Sequence, residues 1–143
     1  FRRVLFRSEL LKKRAPLTPS EWEVMKSHTI LGAHWAEKSG VDNANVLDVI
    51  KYHHERWDGA GYPYGLSGLY IPAFARICII IDAYDSMVND RPYRRGMPEQ
   101  EAKAELLNQS GKQFDKKLVQ TFLEITLDQS FPKPGERRSP SPS

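Results

Sequence analysis

His53 and His54 stand side by side, followed at once by Glu55 and then by a loop that carries Gly59, Gly61, Gly65 and Gly68. Imidazole is the commonest protein ligand for transition metals, and glycine lets a backbone pack close to a ligand. The combination points to metal ligands beside a flexible substrate-facing segment. The pair alone is weak evidence. Neighbouring helical positions diverge by about 100°, and histidine pairs also occur as ordinary surface or core residues. As ligands they make most sense if each ring serves a different ion of a cluster.

Asp82 is the second candidate. It follows Ile79, Ile80 and Ile81, and no Lys or Arg lies one turn away on either side. Burying a bare carboxylate costs several kcal/mol, so this residue calls for a cationic partner, and a metal ion answers the need. Asp85, one turn later, reads as an orienting group behind the ligands or a structural hydrogen-bonding group.

The elements that must position these groups are helices. Thr18, Pro19 and Glu21 form a start signal: Thr18 caps, Pro19 suits the first helical position, and Glu21 completes a capping box. That helix runs to about Ser39, with Gly40 as its stop and Trp22, Met25, Ile30, Ala33 and Trp35 as a partly periodic apolar face. It carries His28 in its middle and Gly32 four residues on, a glycine expected to leave room for whatever the histidine must reach. His34 points to another side and reads as structural or surface.

A second helix starts at Asp42 or Asn43, is striped by Val46, Leu47, Val49 and Ile50, and delivers His53 and His54 at its C-terminal turn. The segment from Asp58 to Ile71 is too rich in glycine for a helix. Pro72 opens a third helix that reaches about Asn89 and is apolar on nearly every side, hence central. Two more follow, near Pro98–Gln109 and Asp115–Gln129, with Leu106, Leu107, Leu118, Phe122 and Ile125 closing the bundle.

At 143 residues the chain fits one domain, and its 40% hydrophobic and 27% charged composition is that of a globular protein. The net charge of +3 is unevenly spread: residues 15–129 hold 12 Lys/Arg against 16 Asp/Glu, and the basicity sits at the two ends. An acidic middle suits metal cations better than a nucleic-acid backbone, so no nucleic-acid polymer is expected as partner. The single Cys78 reads as a small buried hydrophobe in a reducing compartment, and no apolar run approaches the ~20 residues of a membrane span. Cytoplasm is the default.

The string HHERWDGAGYPYGLSG, followed by IP and DAYD, resembles the HD-GYP family of cyclic di-GMP phosphodiesterases. The resemblance includes LTPSEWEVMKSHTILGA upstream and MVNDRPYRRG and GKQFDKKLV downstream, and it extends over about residues 9–128. It implies an all-α helical bundle of the HD-domain type, N-terminally truncated, because the family's His-Asp dyad would fall just ahead of Phe1. The implied organisation is a non-family leader at 1–8, foreign or disordered; a partial HD-GYP helical domain at 9–129; and a disordered Pro/Ser-rich tail at 130–143.

The same resemblance assigns His28, His53, His54 and Asp82 as metal ligands. It places Tyr62, within the Gly61-Tyr62-Pro63 turn, against substrate, and Arg91 and Arg94 on substrate phosphate. Two or three divalent ions are implied, with iron or manganese favoured and zinc possible. The reaction would be hydrolysis of cyclic di-GMP to the linear dinucleotide pGpG, to GMP, or to both. A receiver or other sensory domain would lie upstream in the intact parent. Loss of the dyad would leave this chain with negligible activity.

Two other readings stand beside it: a non-catalytic cyclic-dinucleotide-binding or protein-docking module, and an HD-type phosphohydrolase of another nucleotide. The metallo-hydrolase reading expects the four ligands to converge and Asp82 to be withdrawn from water.

Overall fold

A computed structural model describes residues 15–127. The proposed leader and tail lie outside the described residues. Five α-helices follow one another: α1 (Pro19–Lys38), α2 (Ala44–Tyr52), α3 (Ala73–Val88), α4 (Glu99–Asn108) and α5 (Lys116–Leu127), with a short 3-10 turn at Gly68–Tyr70 between α2 and α3. The described chain is all-α, as expected.

The helix starts follow local chemistry. Thr18 accepts from the Glu21 N–H while Glu21 accepts from the Thr18 N–H, the reciprocal box read from the sequence. Asn43 caps α2 by accepting from the N–H groups of Asn45 and Val46. Asp115 does the same for α5 through Lys117 and Leu118. The second helix ends at Tyr52, so the two histidines expected in its last turn lie just past it: His53 is its C-cap and His54 lies in the turn beyond.

α3 is the central element, packed on α2, α4 and α5. Its Ile79 and Ile80 join Leu106, Phe114 and Val119 in the core, with Tyr84, Leu118 and Phe122 against them. A partly buried ion pair closes this region: Arg76 Nη1 donates to Asp115 Oδ2 at 2.6 Å, and Arg76 Nε to the Ile71 carbonyl at 2.9 Å.

Several expected core residues are not in it. Leu107 and Ile125 are exposed, as are Trp22, Ile30 and Trp35 on α1, where only Thr29 and Ala33 are buried. Apolar identity outran periodicity on these helices, and the turn of 100° per residue carried every second candidate outward. Cys78 is half-buried instead of buried. Gly32 also serves a different purpose: a Cβ there would come within 3.2 Å of Ile50 Cγ2 on α2. The glycine lets the two histidine-bearing helices approach and makes no room at the histidine.

Candidate metal centre and its loop

Two histidines of the site are oriented by their own helices. His28, in the middle of α1, has Nδ1 2.6 Å from the Met25 carbonyl oxygen, and His53 has Nδ1 2.9 Å from that of Ile50. A carbonyl can only accept, so each Nδ1 carries the proton and each Nε2 keeps its lone pair for another partner. His54 follows directly, turned off the end of α2.

The three rings converge. Centroids lie 5.6 Å apart for His28–His53, 4.9 Å for His28–His54 and 4.1 Å for His53–His54. One ligand nitrogen from each lies within 4.8 Å of the other two. Nitrogens sharing one ion at about 2.1 Å can be at most about 4.2 Å apart. Small ring movements would therefore bring all three onto one ion, or two ions could share them. The donor set fits zinc, iron or manganese and is unlike the all-oxygen cages of calcium or magnesium.

Asp82 does not join this group. It is exposed, as is its neighbour Ile81, half of whose surface is open, while Ile79 and Ile80 face the core. The expectation of a carboxylate buried among isoleucines is overturned by helical geometry: an apolar run wraps around a helix, and Asp82 falls on its open side with Phe74, Ile77 and Ile81. Among the described residues Asp82 is therefore neither buried nor grouped with the imidazoles. Whatever supports a hydrolase ancestry must come from elsewhere.

The glycine-rich loop is not slack. Glu55, whose surface is only 1% exposed, accepts from the backbone N–H of Tyr64 at 2.8 Å through one oxygen and from that of Leu66 at 2.9 Å through the other. The Tyr62 N–H donates to the His54 carbonyl. Trp57 and Asp58 donate to Gln113 and Lys112, which ties the loop base to the α4–α5 connection. Arg56 grips Asp58 with two hydrogen bonds, and that guanidinium, then the Ala60 N–H, hold the Asp58 carboxyl below its ordinary range.

Gly61 has no room for a side chain: a Cβ would meet the Arg56 nitrogen and the His54 carbonyl oxygen at 2.5 Å each. The Tyr62–Pro63 peptide is cis. Tyr62 stacks on His54, centroids 4.8 Å apart at 27°, so the loop brings a phenol directly against the imidazole cluster. Glu55 went unassigned in the sequence.

The basic turn after α3 is occupied with its own helix. Arg94 donates to the carbonyls of Ser86, Met87 and Arg95 and to the Ser86 hydroxyl. Arg91 pairs with Asp85 at 3.3 Å, and Asp85 also accepts from Asn89. Arg94 thus satisfies the free carbonyls at the end of α3. Asp85 sits in a surface hydrogen-bond network.

A sequence model described as an HD domain matches residues 7–118. The chain belongs to the HD-domain family. Among curated relatives, it is 39% identical over 120 residues to a cyclic di-GMP phosphodiesterase of Thermotoga maritima, a match covering 81% of this chain and 32% of that protein. It is 40% identical over 121 residues to a probable cyclic di-GMP phosphodiesterase of Vibrio cholerae, covering 80% and 27%. The chain therefore spans about a third or less of the length of these relatives. Among solved structures, the fold matches a cyclic GMP-AMP-specific phosphodiesterase of V. cholerae with a TM-score of 0.66 at 20% identity, over 88% of this chain and 33% of that one. The HD-domain assignment rests on the sequence match and needs nothing from Asp82. No described helix is long and apolar enough to cross a membrane.

Proposed function

We propose that this segment supplies the histidine half of a metal-dependent phosphodiesterase site acting on cyclic di-GMP. The observation that carries the reading is the convergence of His28, His53 and His54, with Nδ1 of His28 and His53 held by backbone carbonyls. The names of the relatives support the substrate. His28, His53 and His54 would hold divalent iron, manganese or zinc. When bound, such ions activate water and offset charge on a phosphodiester in the transition state.

The chain's own residues have separate tasks. The Met25 and Ile50 carbonyls hold two rings in the ligating tautomer. Glu55 and Gly61 hold the loop, and Tyr62 presents its ring and hydroxyl beside His54 for contact with the nucleotide. Arg91 is the better placed of the two arginines for phosphate, because its side chain pairs with Asp85 at the surface. Arg94 would have to leave the α3 carbonyls. Asp82 is exposed and free to serve only if its helix face is covered.

The non-catalytic binding module keeps one observation in its favour: among the described residues no carboxylate joins the three imidazoles. Metal analysis, binding and product chromatography with cyclic di-GMP separate the readings. Stoichiometric uptake of Mn(II), Fe(II) or Zn(II) that is lost in His28→Ala is expected, with metal-dependent binding of cyclic di-GMP. In the full-length parent, linear product that vanishes in His53→Ala supports hydrolysis; binding by that parent with no product supports the module. Absence of histidine-dependent metal uptake would remove both.

A further inference from the structure

A cleft of about 630 Å³ opens beside the imidazole cluster, between the first turns of α1 and the glycine loop. His54 and Tyr62 are in its lining, and Trp22, Glu23 and Lys26 come from α1. Trp22 leaves nearly half its surface open and, unlike the more exposed Trp35 of the same helix, lines this cleft. Glu23 and Lys26 pair with each other at 3.1 Å on the rim, where both remain accessible.

We infer that this cleft is a purine subsite, with Trp22 as the stacking surface and Glu23 as the group that selects guanine. The inference rests on the nucleotide reading of the site. The cleft is lined at once by Tyr62, the ring proposed to contact the nucleotide, and by an indole, the side chain whose face best accepts a nucleobase. Its volume is that of an ordinary small-molecule pocket. A carboxylate can accept from both N1–H and the exocyclic amine of guanine. Adenine offers that carboxylate one donor beside a bare ring nitrogen, so the same site repels it. Lys26 now neutralises Glu23 and would stay as its partner.

The test needs no metal. GMP, AMP and ribose 5-phosphate are titrated against the metal-free 143-residue chain by calorimetry and by the Trp22 indole N–H resonance. GMP is expected to bind at least about tenfold more tightly than ribose 5-phosphate, about 1.4 kcal/mol, to move the Trp22 resonance, and to exceed AMP. Trp22→Ala should abolish the advantage over ribose 5-phosphate and Trp22→Phe retain most of it. Glu23→Gln should narrow the ratio of GMP to AMP. An unmoved Trp22 resonance, or equal GMP binding by Trp22→Ala, overturns the subsite, and an unchanged base preference in Glu23→Gln overturns the selection. Failure here with metal uptake intact leaves the hydrolase reading standing. Loss of histidine-dependent metal uptake with GMP binding intact does the reverse.

Discussion

Removing the Glu55 carboxylate should loosen the loop that carries Tyr62 while sparing the helical core. Its two oxygens accept from the Tyr64 and Leu66 amides at 2.8 and 2.9 Å in a position almost closed to water. A hydrogen bond to a charged group contributes about 1.5–3 kcal/mol net, and an amide left buried without a partner costs about 1–3 kcal/mol. Glu55→Ala strands two amides, for a total of about 3–5 kcal/mol if the loop keeps its place. The chain has a cheaper alternative, which is to let residues 62–66 detach and hydrate. The global loss should therefore be smaller, about 1–3 kcal/mol, with the remainder seen as local opening.

Glu55→Gln keeps one acceptor but turns an NH2 group toward the second amide, so it should fall between wild type and Ala. Amide hydrogen exchange resolves the two levels: protection at Tyr64 and Leu66 should collapse in Glu55→Ala while that of Leu106 and Val119 changes little. Urea unfolding gives the global term. If Glu55→Ala unfolds within about 0.5 kcal/mol of wild type, the range of a neutral surface change, and protection at Tyr64 and Leu66 is unchanged, the carboxylate is not what holds the loop.

Gly61→Ala is expected to cost about 1–3 kcal/mol and to weaken cyclic di-GMP binding more than metal uptake, because its Cβ would strike backbone at His54 and Arg56; unfolding and binding titrations check both. Asp115→Ala leaves Arg76 without its partner at a site where Asp115 is 7% exposed, and should destabilise by about 3–5 kcal/mol; thermal unfolding shows it. Asp58 sets a pH dependence. Its carboxyl is held low by Arg56 and the Ala60 N–H, so its contribution is complete above the ordinary carboxylate value and is lost as pH falls through the depressed one. Exchange protection at Ala60 should be level from about pH 7 to 5 and drop below about 4, and Asp58→Asn should remove that acid step.

Much of the fold was legible because helix ends are decided by near neighbours. Thr18, Glu21 and Asn43 cap with partners two or three residues away, and Pro72 opens α3 by its own ring geometry. The His53–His54 pair stood out for a related reason, since it closes a striped helix and is followed by glycines, whereas His28 entered only through the family resemblance. What stayed hidden depends on distant packing. Asp82 was read from its neighbours in sequence, yet exposure is decided by what covers that side of α3. Arg94, a phosphate contact by the family resemblance, finds acceptors in the carbonyls of the preceding helix. Glu55 and Arg76 act across 9 and 39 residues of separation, which no local pattern records.

His53 closes α2 and His54 follows it, so both rings stand where the peptide dipoles of that helix sum to a partial negative charge. A bare phosphodiester approaching this end meets an unfavourable field, and a cation meets a favourable one. The polarity of one nine-residue helix thus makes the imidazoles themselves a place for a cation and a poor one for a bare phosphate, whatever holds the rest of the nucleotide. Cyclic di-GMP titrated into metal-stripped protein should accordingly gain little affinity from His53 or His54.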